Sequence, residues 1–291
     1  MATMAAVPER HRVTARRRLT ERVVVSLLGL ATVLGIVLLF LILAHVVISG
    51  LPALDLAFFT QRPKPFGEDG GGVEPAILGT LELAAVSGLL AIPIGIAAAI
   101  FVVEYRSGRF AAPVRFAAEL IAGLPSIVFG LFVFSALVIS KVGGTGYAGW
   151  KGSVAIGLLM LPVVARSAEV VLMLVPSSLR EAALALGAPK WKVILRVVVP
   201  TARAGIATAA ILAVARSAGE TAPLLLTALG NDFFSTDLLR PIDALPLRIY
   251  RYALSPYEDW HTKAWGASLV LVTVIGLLSL GLRLALRRGA R

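Results

Sequence analysis

Ser178-Leu-Arg-Glu-Ala-Ala-Leu-Ala-Leu-Gly187-Ala-Pro189-Lys-Trp-Lys-Val-Ile-Leu-Arg-Val-Val-Val-Pro200 lies between two long apolar segments and is itself too polar to cross a bilayer. The spacing predicts two short helices with a break. Ser178 followed by Glu181 has the form of a capping box, in which the hydroxyl accepts from an orphan backbone N–H and the glutamate reaches back to the cap. Leu179, Ala182, Ala183 and Leu186 then fall at i, i+3, i+4 and i+7, one apolar stripe. Gly187 is suited to end that helix and Pro189 to open the next. Trp191, Ile194, Leu195 and Val198 repeat the spacing, with Lys190, Lys192 and Arg196 off the stripe. Two amphipathic helices joined at such a break make a compact protrusion. On periodicity alone, a loop packed on its own protein reads equally well, because amphipathicity is generic.

The rest of the chain says what the protrusion stands on. The 291 residues are 58% hydrophobic, with a mean hydropathy of +0.87. Soluble domains are about 45–50% apolar, so this is a membrane protein. A net charge of +11 would suit nucleic acid, but the basic residues flank apolar spans on one side. With no cysteine, disulfide and thiol chemistry are excluded.

Residues 1–22 read as a mobile basic tail, and 287–291 as a second short one. Six apolar runs of about 20 residues or more, the length a ~30 Å hydrocarbon core requires, fall at 23–49, 76–103, 116–140, 153–173, 201–229 and 264–286. The first is too long for a secretory signal and lacks a convincing cleavage site. The third is interrupted at Gly123-Leu124-Pro125-Ser126, and Pro93 should bend the second. The fold class is thus an all-α integral membrane protein of six transmembrane helices. Its six-span domain covers 23–286 and carries the polar loop at 176–200. Of the 28 Lys and Arg, 18 lie in the two terminal segments and in or beside the loops after spans two and four. Eight lie in the three opposite loops, and Arg166 and Arg216 lie inside spans. The positive-inside rule puts both termini and the Ser178–Pro200 loop in the cytoplasm.

A charge at the bilayer centre costs roughly 2.5–3.5 kcal/mol on insertion scales, so Arg166 and Arg216 face protein or a watery cavity. Arg216 and Glu220 are four apart and Arg166 and Glu169 three apart, so each couple is expected to share a helix face and pair. Two buried ion pairs that only fix packing are one reading. The other is an anion pathway, since guanidinium offers paired planar donors to tetrahedral oxyanions. Glu220 would then hold Arg216 or accept a proton from substrate. Glu82, in span two, has no evident role.

Glu181-Ala182-Ala183, Gly187 and the apolar run closing at Pro200 resemble the EAA loop of ABC importer permeases, with Val197 and Val199 where the family pattern has Ile and Leu. In that family the loop is the helix that docks on the ATPase subunit, so Glu181, Ala182, Ala183 and Gly187 are the implied coupling residues. Gly219-Glu-Thr-Ala-Pro-Leu-Leu225, Leu124-Pro-Ser-Ile-Val-Phe-Gly130 and Leu161-Pro-Val-Val-Ala-Arg-Ser167 look like the phosphate-importer branch, the PstA-type permeases. The likeness covers roughly 75–285. It implies a type I importer (MetI-like) architecture in the bacterial inner membrane. It also implies a PstC-like permease, a PstB-like ATPase dimer and a PstS-like phosphate-binding protein as partners. ATP and Mg would be bound by the ATPase and no cofactor by this chain, with Arg166, Arg216 and Glu220 along the phosphate pathway.

No G-x-x-x-x-G-K-[ST] phosphate loop is present. His11, His45 and His261 are scattered, which speaks against a metal site, and Ser126, Ser167 and Ser217 have no neighbouring histidine. No catalytic residue is assigned. The alternatives are a permease for sulfate, molybdate or phosphonate and a stand-alone oxyanion carrier. Such a carrier often shows inverted repeats, and the halves of this chain show no self-similarity.

Overall fold

The structure is a computed structural model that describes residues 15–65, 67–68, 70–105, 110–144 and 146–288. Helix α1, Ala15–Gly50, belongs to a unit of its own that ends at Ile48. It is apolar all round, without an amphipathic face, and its most apolar stretch is wholly exposed, as a lipid-facing span requires. The helix begins at Ala15, so Arg16, Arg17, Arg18 and Arg22 sit on its first turns rather than in a free tail. The expected tail residues 1–14, with Arg10 and Arg12, lie outside the described residues, as do 289–291.

The second unit starts at Ser49. A 3-10 turn, Leu51–Ala53, leads to α2, Leu56–Thr60, whose first turn is capped by Asp55 accepting from Phe58 N. Three long helices form the centre: α3, Glu74–Glu104; α6, Gly149–Met173; and a helix over Lys190–Ser217. Pro93 and Pro162 lie inside α3 and α6. Small residues let these helices approach, the usual device where lipid removes the hydrophobic drive between helices. A Cβ on Gly95 would meet Val164, and one on Gly205 would meet Val171. Ala99, Ala168, Leu172, Val198, Ala202 and Ile206 are buried together at the end nearest the loop, and Ala91, Met160, Val164 and Ala213 further along.

Between α3 and α6 the chain makes the interrupted span. Helix α4, Ala111–Ala122, and α5, Ser126–Val133, meet at 101° across Gly123-Leu124-Pro125. Pro125 fixes an extended backbone there, with φ −58° and ψ 139°, and a π-helical turn, Phe134–Ile139, continues α5. Counting this bent pair as one crossing gives six candidate spans among the described residues, as the hydropathy expects. Fully buried Lys151 closes the following turn by donating to Gly146 O at 2.8 Å.

Three local expectations change. The capping box is absent: α7, Ser177–Ala185, starts two residues earlier than Ser178 as cap would place it, with Pro176 at the cap position and no side-chain cap. The second loop helix is not separate either. Helix α8, Lys190–Val193, runs through a π turn at Ile194–Val198 into α9, Val199–Ser217. Pro200 has no N–H to return to the preceding turn, and it follows that wide turn without ending the helix. Span five, in contrast, breaks after Ser217, and α10, Ala222–Thr227, completes it. Gly219 weakens the helix, and Pro223 can sit only in the first turn of a new one. Leu224 of this last piece and Ala228 just after it pack with Leu83, Ile156 and Ile242. Helices α11, Leu245–Ala253, and α12, Glu258–Arg288, follow.

Candidate functional site

At the loop end, α7 buries no residue. It closes with a left-handed Gly187, φ +79°, where Gly187 N donates to Leu184 O and Ala188 N to Ala183 O. This is the double bond of a Schellman motif, and it confirms the reading of Gly187 as a stop. Of the predicted stripe only Ala183 turns inward, against the core. Leu179 and Leu186 are exposed, Leu186 at 89%, and Glu181 and Ala182 are exposed beside them. An apolar edge on a protruding helix that its own chain does not cover is what a docking element presents.

One side chain fastens that helix, and the sequence reading gave it no role. Arg180 donates from Nε to Glu104 Oε1 at 2.9 Å, from Nη1 to Val175 O at 2.6 Å and from Nη2 to Leu172 O at 3.0 Å. It thereby joins α7 to the ends of α3 and α6. Lys190 Nζ donates to Glu104 O and lies 4.2 Å from the Tyr105 ring centroid. Glu104, Arg180 and Lys190 line a cleft of about 530 Å³ with Met173, Val175 and Leu184.

Arg166 pairs with Glu169 at 2.8 Å, as the three-residue spacing predicts. Two further charges join from α4: Arg115 pairs with the other oxygen of Glu169, and Glu119 lies 3.2 Å from Arg166. Glu169 is buried, while Arg166 remains 42% exposed. The partners on α4 lie about 50 residues away in the chain, so no local pattern could reveal them.

Arg216 behaves otherwise. It is exposed and has no ion-pair partner among the described residues. Glu220 is half-buried and lies past the helix end, with its N–H on Ser217 O at 3.1 Å. The break at Ser217 removes the shared face on which their expected pairing depended. A Cβ on Gly88, near the middle of α3, would lie 3.7 Å from Val214, so Arg216 stands near mid-depth. Matching neighbours along α3, α6 and α9 puts Arg166 roughly 10–20 Å nearer the loop end.

The opposite end carries a separate ion network. Arg248 is buried, pairs with Asp243, and reaches Asp232 at 2.6 Å. Burial pushes the Asp243 carboxyl up, against the pull of the Arg248 guanidinium. Arg248 also borders a cleft of about 800 Å³ lined by Arg62, Lys64, Phe233, Tyr252 and Trp260. Among the described residues no three His, Asp or Glu side chains group as a metal site.

Residues 91–289 match the family described as the binding-protein-dependent transport system inner membrane component. The phosphate transport system permease protein PstA of Haemophilus influenzae is 41% identical over 263 residues, covering 90% of this chain and 92% of its own. The protein of the same description from Xylella fastidiosa (strain Temecula1) is 40% identical over 275 residues, 94% of each chain. Among solved structures, the inward-facing MetNI methionine ABC transporter aligns with a TM-score of 0.62 at 21% identity, over 74% of this chain and 94% of its own. A bacterial alginate ABC transporter aligns with a TM-score of 0.65 at 18% identity, over 93% of this chain and 98% of its own. These two show the fold, that of ABC importer permeases. The fold and the relatives agree with the protruding loop: the chain belongs to the PstA family of phosphate transport system permeases, within the binding-protein-dependent inner-membrane components.

Proposed function

We propose that this chain is one of two permease subunits of an ATP-driven importer of inorganic phosphate. The observation that carries the coupling half of the reading is α7, a helix with an exposed apolar edge, bolted through Arg180 to two spans. A PstB-like ATPase, binding ATP and Mg, takes that edge, with Glu181, Ala182, Ala183 and Gly187 forming the contact or its shape. A PstC-like permease supplies the other half of the pathway, and a PstS-like protein delivers phosphate at the opposite end. The Lys and Arg distribution supports a cytoplasmic loop end and cytoplasmic termini.

Phosphate on this reading meets Arg216 and Glu220 near mid-depth and leaves past Arg166 toward the loop end. A guanidinium without an ion pair suits capture, because its paired donors are free for an oxyanion. The broken fifth span supports the same reading, since discontinuous helices commonly mark substrate sites near the midplane.

The test uses the whole importer. Replacing Gly187 with valine puts a β-branched residue at φ +79°, a strain of roughly 1–2 kcal/mol. The variant should insert normally and lose phosphate-stimulated ATP hydrolysis. Normal stimulation with an assembled complex would reject the coupling role, and phosphate uptake with no ATPase co-purifying would favour a stand-alone carrier.

A further inference from the structure

Four charges on two helices are linked in one open circuit, Arg115–Glu169–Arg166–Glu119. Arg115 and Glu119 lie one turn apart on α4, and Arg166 and Glu169 nearly one turn apart on α6. Glu169, its side chain only 4% exposed, divides its oxygens: Oε1 accepts from Arg115, and Oε2 from Arg166 at 2.8 Å. Arg166 Nη1 also lies 3.2 Å from Glu119. The circuit sums to zero charge. Arg166 and Arg115 both stay about two-fifths exposed, so the buried carboxylate sits behind two guanidiniums that this chain leaves partly uncovered.

A carboxylate shared between two guanidiniums neutralises neither fully. The positive potential that Arg166 presents therefore depends on a residue that does not belong to its own helix. We propose that Arg115 is a positioning residue for oxyanion passage: by holding one oxygen of Glu169 it sets how strongly Arg166 attracts the anion. This rests on the reading above that Arg166 lines the pathway. A near-neutral circuit at the exit side releases an anion that an unbalanced guanidinium pair would retain.

Charge counting separates this from a plain packing tie between α4 and α6. Arg115→Gln leaves the circuit at −1 and repels the anion. Arg115→Gln with Glu169→Gln returns it to zero through Arg166 and Glu119. Glu169→Gln alone leaves it at +1 and holds the anion. A packing tie is cut in all three, so the double variant would then be no better than the first.

The experiment measures initial rates of labelled phosphate uptake against phosphate concentration. It uses cells that carry the whole importer and no other phosphate importer, with assembly checked by co-purification. Uptake by Arg115→Gln should fall about tenfold or more, the order expected for one added charge at close range. Arg115→Lys should keep most activity, and the double variant should recover several-fold over Arg115→Gln. Glu169→Gln should lower KM and the maximal rate together. An assembled Arg115→Gln within about twofold of the unmodified rate, or a double variant no better than it, overturns the proposal. Should Arg115→Gln not assemble, an unchanged KM in Glu169→Gln overturns it. Normal uptake by Arg166→Gln would instead reject the pathway reading beneath it.

Discussion

Arg166 and Arg216 look alike in the sequence, each a lone guanidinium in an apolar span with an acid one turn on. The fold separates them. Helix α6 continues past Arg166, so Glu169 shares its face and pairs with it. Helix α9 stops at Ser217, so Glu220 belongs to a turn and Arg216 stands without an ion pair among the described residues. A spacing of three or four residues makes a pair only while the helix persists between them. On the function proposed above, the difference would assign different work: a guanidinium already engaged adjusts and holds, and one left open receives.

The sharpest way to break that contrast is Arg216→Gln, which should lower phosphate uptake by about 100-fold while the importer still assembles, because the open paired-donor group is lost. Adding Glu220→Gln should not restore it. Recovery in this double variant would show that the two residues compensate each other despite the break, and would return Arg216 to a packing role.

Arg180 offers the opposite extreme, a guanidinium wholly committed to its own chain. Arg180→Ala leaves the buried Glu104 carboxylate and two helix-end carbonyls without their donor. It should destabilise the loop end by about 2–3 kcal/mol, read as a lower unfolding temperature of the detergent-solubilised chain. Unchanged stability would mean that the three bonds do not form in solution.

Glu220→Gln alone should cost uptake about fivefold or less, well short of Arg216→Gln, since no ion pair is broken. A loss equal to that of Arg216→Gln would show that the carboxylate itself handles the substrate, for example by taking its proton. The smallest functional effect belongs to single cysteines at Ser178 and Asp237, both exposed. Ser178 makes no cap bond, and Asp237 makes only exposed side-chain contacts, with Leu239 N and Arg240, so neither change should alter uptake by more than about twofold. An impermeant thiol reagent should reach position 237 from outside and position 178 only after the membrane is opened. The reverse pattern would exchange the entry and exit ends.

Several features could be read from residues near one another in the chain. Gly187 announced a left-handed stop because the apolar spacing ended there. Gly123 and Pro125 announced the break in the third span, and Arg166 with Glu169 announced a pair. The break after Ser217 used the same signal, Gly219 with Pro223, but the apolar run to Leu229 concealed it: α10 is itself apolar and buried, so hydropathy does not fall. The contacts that complete each site were beyond any local pattern. Glu119 and Arg115 reach α6 from another span, and Arg180 meets Glu104 across 76 positions. The capping box failed for a simpler reason, since Pro176 set the helix start one residue before the serine that the pattern requires.

The union of α8, the π turn and α9 makes Lys190–Ser217 one helix of 28 residues. Its near end carries exposed Trp191 beside the docking edge, and its far end carries Arg216. Such a rod is about 40 Å long. Tilting it by about 5° about one end displaces the other by about 3.5 Å, enough to bring a guanidinium into or out of hydrogen-bonding range of an anion. Under the coupling proposed above, the fifth span would serve as a lever arm, a small rotation at the loop end becoming a larger displacement at Arg216.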